Sequence, residues 1–200
     1  MINPRIRPLR RGEEGAVREL LAHLSPRTRH LRFFSEMPFV PDSLVRMLTD
    51  VDDARRFALV AELDRADGGD IVALGNVAIV EDCAELGLLV ADAWQRQGIG
   101  GALIDRLMLA AEARGCRRFV VHGLWENAAL RRLLNQVADI VSTISLSGAM
   151  EITFVRRRSA AAHPPALVDA RGKTDWLEQA YERILARGRK SAKGRNDPCL

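Results

Sequence analysis

Residues 86–114 constrain this chain more than any other stretch. An apolar run, Leu86, Leu88, Leu89 and Val90, ends in a turn. Gly98, Gly100 and Gly101 then open a segment whose apolar residues recur at helical spacing. The unit reads as strand, glycine loop, helix. Glycine has no Cβ, so the loop can turn sharply and bring its N–H groups close to a ligand. A helix N-terminus adds a partial positive charge, and an anion, most simply a phosphate, belongs there. Two familiar phosphate loops are excluded by the residues themselves. A P-loop carries Lys-Ser/Thr after its second glycine, where this chain has Gly101-Ala102, and the G-x-G-x-x-G spacing of a dinucleotide fingerprint is not met.

The chain of 200 residues is long enough for one domain with a real core plus a tail. Apolar residues at 48% and charged residues at 28% exclude a disordered or membrane-embedded chain. Cys83, Cys116 and Cys199 lie far apart and form no paired ligand spacing, which predicts a fold without disulfides, no metal and a reducing, cytoplasmic compartment. The N-terminus has no apolar signal core, and no run approaches the roughly 18 apolar residues of a membrane span. The net charge of +4 owes much to Arg187, Arg189, Lys190, Lys193 and Arg195. No aromatic residues interleave with these charges, so they read as a solvated tail rather than a nucleic-acid site.

Taken in order, residues 5–9 read as a short strand and 13–24 as an amphipathic helix. Ser25 is an N-cap followed by Pro26 at the first position of a second helix, and a third spans 41–48 with Asp42 and Ser43 as capping candidates. Residues 56–63 and 71–80 alternate as a hairpin across Asp67-Gly68-Gly69-Asp70, and 84–90 adds a strand. Gly115 is placed to end the long helix as its C′ residue. A strand at 119–124, a helix introduced by Glu126-Asn127, and a hairpin of 140–146 with 150–155 follow. Arg156-Arg157-Arg158 closes the domain, 1–158. Residues 159–200 form a linker, an amphipathic helix at 174–186 and a basic end.

Gln95-Arg96-Gln97-Gly98-Ile99-Gly100 resembles the acyl-CoA pyrophosphate loop of the GNAT acyltransferase superfamily: Gln or Arg, two residues, Gly, one residue, Gly or Ala. Residues 24–34, LSPRTRHLRFF, are similar to a helix of the bacterial branch that includes the Pat-type protein lysine acetyltransferases. The resemblance implies an α/β (α+β) GNAT fold, a mixed, mostly antiparallel sheet of about seven strands flanked by helices. It implies acetyl-CoA as co-substrate. Main-chain N–H groups over Arg96, Gln97, Gly98, Ile99, Gly100 and Gly101 would ring the pyrophosphate, with Gln95 at the first position of the family loop, and Leu88, Leu89 and Val90 would pair with the pantetheine arm as an added strand. Val90 N–H would also face the thioester carbonyl, and Asn127 would bond the pantetheine, although it reads equally as a helix N-cap.

Glu85 matches the general base of the Pat-type branch. An amine near pKa 10.4 must lose a proton before it attacks, and a carboxylate accepts it directly or through water. By pattern alone Glu85 reads also as the outward position of a half-exposed strand, and His122 is the runner-up base. Arg29, His30, Arg32 and Phe33 face either the acceptor cleft or solvent. The implied acceptor is a primary amine, foremost a protein lysine, with a small amine or a weakly active acyl-CoA-binding regulatory module as alternatives and a homodimer open. Two departures stand out: 130–134 carry no tyrosine to protonate the leaving thiolate, and Val137-Ala138-Asp139 replaces the usual Leu-Gly-Phe. Residues 194–199 resemble the opening of the zinc-binding tail of the SecA translocase, but one cysteine cannot build a four-ligand site.

Overall fold

The computed structural model describes residues 4–35, 37–63 and 69–157. Its elements are β1 (Arg5–Pro8), α1 (Glu14–Ala22), α2 (Pro26–Phe33), α3 (Asp42–Thr49), β2 (Arg56–Leu63), β3 (Asp70–Val80), β4 (Cys83–Val90), α4 (Ile99–Glu112), β5 (Arg118–Leu124), α5 (Ala128–Val137), β6 (Ala138–Leu146) and β7 (Ala149–Arg156), with a short 3-10 turn at Asp92–Trp94 between β4 and α4. The seven strands form one sheet in the order β1-β2-β3-β4-β5-β7-β6. All neighbours run antiparallel except β4 and β5. A parallel pair needs a crossover, and α4 is that crossover. The chain divides between residues 158 and 159, and the linker and helix expected over 159–186, Cys199 and residues 64–68 lie outside the described residues.

Apolar residues bury on both faces of the sheet, as the strand and helix periods require. On one face α4 packs Leu103, Ile104, Leu107, Met108 and Ala111, all at most 1% exposed, against Phe57, Val72, Val77, Leu86, Phe119 and Phe154. On the other, Val17, Leu20 and Leu21 of α1 and Val45 and Leu48 of α3 cover Ala58, Val60, Leu74 and Leu89. Ser25 caps α2 as its residue type predicts, its hydroxyl accepting from Thr28 N–H at 3.2 Å. Neither Asp42 nor Ser43 caps α3: Pro41 occupies the N-cap, and Asp42, already helical, binds Arg18 at 2.5 Å. Gly115 adopts φ +93° two residues beyond the C-cap Ala113, one later than the helix period suggests. β6 starts at Ala138 rather than 140, because Ala138 already pairs with Arg156.

One buried charge network fixes the start of the chain. Arg7, 8% exposed, donates from Nε and Nη2 to Glu62 of β2 at 2.8 and 2.5 Å, and from Nη1 and Nη2 to Glu13 at 2.9 and 2.7 Å. These bonds, led by those from Arg7, hold the Glu62 carboxyl down to about 2, well below an unpaired glutamate. Removing one partner of a buried pair leaves an uncompensated charge. Arg7→Met is therefore expected to cost about 3–5 kcal/mol at neutral pH by urea unfolding. Because the folded-state carboxyl titrates below the unfolded one, its contribution is full above about pH 4.3 and fades as pH falls toward 2. The gap between wild type and variant should narrow over that window.

At the far edge, β6 exposes Ile140, Val141, Ile144 and Leu146 and buries only Ala138. The register skips Val141. Among the described residues no helix is long and apolar enough to cross a membrane, and no group of three His, Cys, Asp or Glu side chains is placed to hold a metal ion.

Candidate functional site

Strands β4 and β5 pair only at Cys83, Ala84 and Glu85 against Arg118, Phe119 and Val120, after which β5 follows β7 and the two part. A wedge opens along the outer half of β4. Which of its groups face that wedge follows from the ladder. Ala91 N–H donates to Val72 O, which makes Val90 and Ala73 a non-hydrogen-bonded pair, and such pairs alternate along an antiparallel ladder. The main-chain N–H and C=O of Leu88 and Val90 therefore turn toward the wedge. Leu89 does not meet its expectation: its backbone groups turn to β3, and its side chain, 4% exposed, packs in the opposite core.

The glycine loop closes the open end. Arg96 and Gly98 take positive φ, +61° and +84°, and Gly98 is the N-cap of α4. It offers no side chain to cap the first helical N–H groups. Gln95 Nε2 donates to Val90 O at 3.0 Å and to Thr28 Oγ1 at 3.3 Å, tying loop to strand and to α2. The Gln97 side chain instead binds Ala93 O at 3.0 Å, and Ile99 is buried in the core at 6% exposure. Neither side chain lines the cavity, so those two positions can serve a ligand only through main chain.

Between β4, the start of α4, α5 and α2 lies a cavity of about 490 Å³, within the range of small-molecule and cofactor sites. Gln95, Arg96, Gly98, Gly100 and Gly101 line its loop end, Leu88, Val90 and Asn127 its middle, and Arg32, Gly87 and His122 its deep end. Asn127 Oδ1 accepts from Leu130 N–H at 3.0 Å, so the N-cap reading holds while the side chain still borders the cavity. Arg132 and Gln136 of α5 also border it. Sequence reasoning passed over them, although their spacing of four residues puts them on one helix face.

α2 is locked to the loop before α4. Asp92 accepts from Ser25 N–H at 2.8 Å, Ser25 Oγ at 2.7 Å and Thr28 Oγ1 at 2.7 Å. The Ser-Pro-x-Thr part of the 24–34 segment thus sets one wall of the cavity. Of the four α2 residues singled out by sequence, Arg32 reaches the lining. Arg29 donates to Met37 O at 2.9 Å, Phe33 packs against the α1 and α3 core, and His30 lies 3.8 Å from Glu126 in the turn after β5.

Glu85 stands just past the deep end, on the same face of β4 as Gly87, and is not itself a lining residue. Its Oε2 is buried without a hydrogen-bond partner. Burial pushes its carboxyl up to about 7; the Arg32 guanidinium pulls it down and Glu151 pushes it further up. His122 on β5 goes the other way: burial, then Arg32, pushes its ring down to about 4, and its Nε2 is also buried and unpartnered. Glu85 is half-buried rather than fully outward, on the face of β4 where Arg32 of α2 rests on Gly87. A carboxyl titrating near neutrality beside a long cavity can exchange a proton with a bound amine, whereas an imidazole titrating near 4 is too weak to take one from an ammonium.

A family model described as the Acetyltransferase (GNAT) family matches residues 18–137. Acetyltransferase PA5475 of Pseudomonas aeruginosa is 30% identical over 132 residues, 64% of this chain and 70% of that protein. The GNAT domain of S. lividans PAT superposes with a TM-score of 0.68 at 24% identity, covering 76% of this chain and 90% of that one. The structure of yncA from Salmonella typhimurium with its cofactor acetyl-CoA superposes with a TM-score of 0.61 at 17% identity, covering 82% and 99%. The likeness to these two structures is one of fold.

Proposed function

The chain belongs to the GNAT acetyltransferase family, and from that membership we propose that it transfers an acetyl group from acetyl-CoA directly to a primary amine. The observation that carries this reading is the wedge beyond Glu85. It brings a helix N-terminus suited to phosphate, the wedge-facing main-chain groups of Leu88 and the Val90 N–H along one cavity, with the Glu85 carboxyl just past its far end. The pyrophosphate lies on the N–H groups of residues 96–101, with Arg96 and Arg132 adding charge at the mouth. The pantetheine pairs with Leu88 and Val90 and meets Asn127. The ammonium of the acceptor gives its proton to Glu85 through one water, and the free amine attacks the thioester carbonyl, whose oxyanion is met by Val90 N–H. Without a tyrosine on α5, the leaving thiolate takes its proton from solvent.

A protein lysine is the leading acceptor, supported by the likeness of 24–34 and Glu85 to the Pat-type branch. A weakly active acyl-CoA-binding module is the other reading, favoured by the missing tyrosine. Calorimetric titration of acetyl-CoA, with thiol release followed on a lysine-bearing protein and on a panel of small amines, separates them. Saturable binding with release on protein is the expected result. Release on small amines alone moves the acceptor, binding without release favours the module, and absence of binding refutes the proposal.

A second copy of this chain is the partner the β6 edge suits. Residues 140–148 carry no charged side chain, so two such strands can pair about a two-fold axis without like-charge contact, covering an edge that no other described strand pairs with. Ile144→Lys is expected to convert a dimer to a monomer by light scattering, and a wild-type protein that is already monomeric sinks the idea.

A further inference from the structure

A glycine in the middle of a strand weakens it and often marks the close approach of another group. At Gly87 that group is Arg32. Its guanidinium, together with Asn76 Oδ1, fills the space that a Cβ at Gly87 would need. Asn76 stands opposite Gly87 in the ladder and accepts from Arg32 Nη2 at 3.0 Å. α2, which carries Arg32, is pinned in turn by the bonds of Ser25 and Thr28 to Asp92. Three separate elements therefore hold one cation in place. Among the described residues no carboxylate is bonded to it, and its Nε is buried without a partner, so it is not there to complete a salt bridge. Glu85 is the next residue on the same face of β4, about 7 Å along the strand.

We propose that Arg32 is a positioning residue for proton transfer: seated on Gly87 and anchored by Asn76, its fixed charge keeps the buried Glu85 ionised and able to accept a proton. The proposal rests on Glu85 being the base. At an effective dielectric of about 20, a unit charge within roughly 6–10 Å moves a carboxyl titration by about one to two pH units. The other groups facing Glu85 do not do this work. Glu151 on β7 acts against ionisation, His122 on β5 is held neutral, and β3 presents Asn76 and Ala78. Arginine suits the place because a guanidinium keeps its proton when buried.

The test observes Glu85 directly, by carbon NMR of protein labelled at the glutamate carboxyls, with the Glu85 signal identified by its loss in Glu85→Gln. Arg32→Gln is expected to raise the Glu85 midpoint by about one pH unit or more, and Arg32→Lys to restore over half of that shift. The acid limb of kcat/KM should move with it while the Kd for acetyl-CoA stays within about twofold. A midpoint unchanged in Arg32→Gln, or a loss of turnover with no displacement of the limb, overturns the proposal. Should Arg32→Gln not fold, Asn76→Ala, which unfastens the guanidinium without deleting it, must shift the midpoint in the same direction or the proposal fails. The titration needs neither acetyl-CoA nor acceptor. A wild type that acetylates nothing would thus refute the proposed activity, and the carboxyl midpoints would still decide the role of Arg32.

Discussion

Glu85→Gln is expected to lower kcat/KM for the amine by about 100- to 10,000-fold, the usual worth of a positioned general base, while the Kd for acetyl-CoA stays within a factor of about two. The split is the informative part. Glu85 does not line the cavity, so its loss should spare cofactor binding. Gln keeps the shape and removes the proton acceptor. The wild-type pH profile carries the same prediction with a sign. Burial raises the carboxyl to about 7, so below that pH it holds a proton and cannot take another; kcat/KM should rise with pH through about 7 and level off above it. In Glu85→Gln that limb should disappear from the residual rate. A variant that keeps both full rate and limb would remove Glu85 from the mechanism and return attention to His122. The low titration of the His122 ring argues against that outcome, and His122→Gln should cost only a few-fold.

The second large effect is on the cofactor. Gly98→Glu/Gly100→Glu is expected to weaken acetyl-CoA binding at least about 100-fold, about 2.7 kcal/mol, measured by calorimetry. Gly98 sits at φ +84° with open space around it, so any side chain there pays the left-handed penalty of roughly 1–2 kcal/mol. Glutamate also sets a negative charge where the phosphates belong. Gly100 separates the two causes. A Cβ on it would meet Leu88, Leu133 and Val90 at 3.5, 3.6 and 3.7 Å, ordinary contact distances. Gly100→Ala should bind acetyl-CoA nearly as wild type does, and Gly100→Glu should not. If both lose binding alike, steric closure rather than charge governs the site.

The strand, loop and helix of residues 86–114 were legible because each depends on near neighbours in sequence: apolar period, glycine φ and a helix start. The same holds for Ser25 as the cap of α2 and Asn127 as the cap of α5, where a short side chain reaches a backbone N–H three residues on. Leu88, Leu89 and Val90 were less legible. Three consecutive apolar residues carry no sign of which pair turns its backbone to the wedge, since that is set by the register with β3. Asp42 has the residue type of a cap, yet Arg18 claims it from α1, twenty-four positions away.

Arg32 and Arg7 show where local reading ends. In sequence Arg32 is one of several arginines on a polar helix, and only the packing of α2 over Gly87 turns it into a cation beside Glu85. Arg7 stands in an edge strand, and only the pairing of β1 with β2 brings Glu62 beneath it. The sequence by itself determined the order of elements, the glycine loop and the residue types available for acid–base work, because those follow from periodicity and from the chemistry of single side chains. The tertiary structure alone decided which charges are buried together, which backbone groups of β4 turn to the wedge, and that burial raises the Glu85 carboxyl, because desolvation and Coulomb interaction depend on distances between residues far apart in the chain.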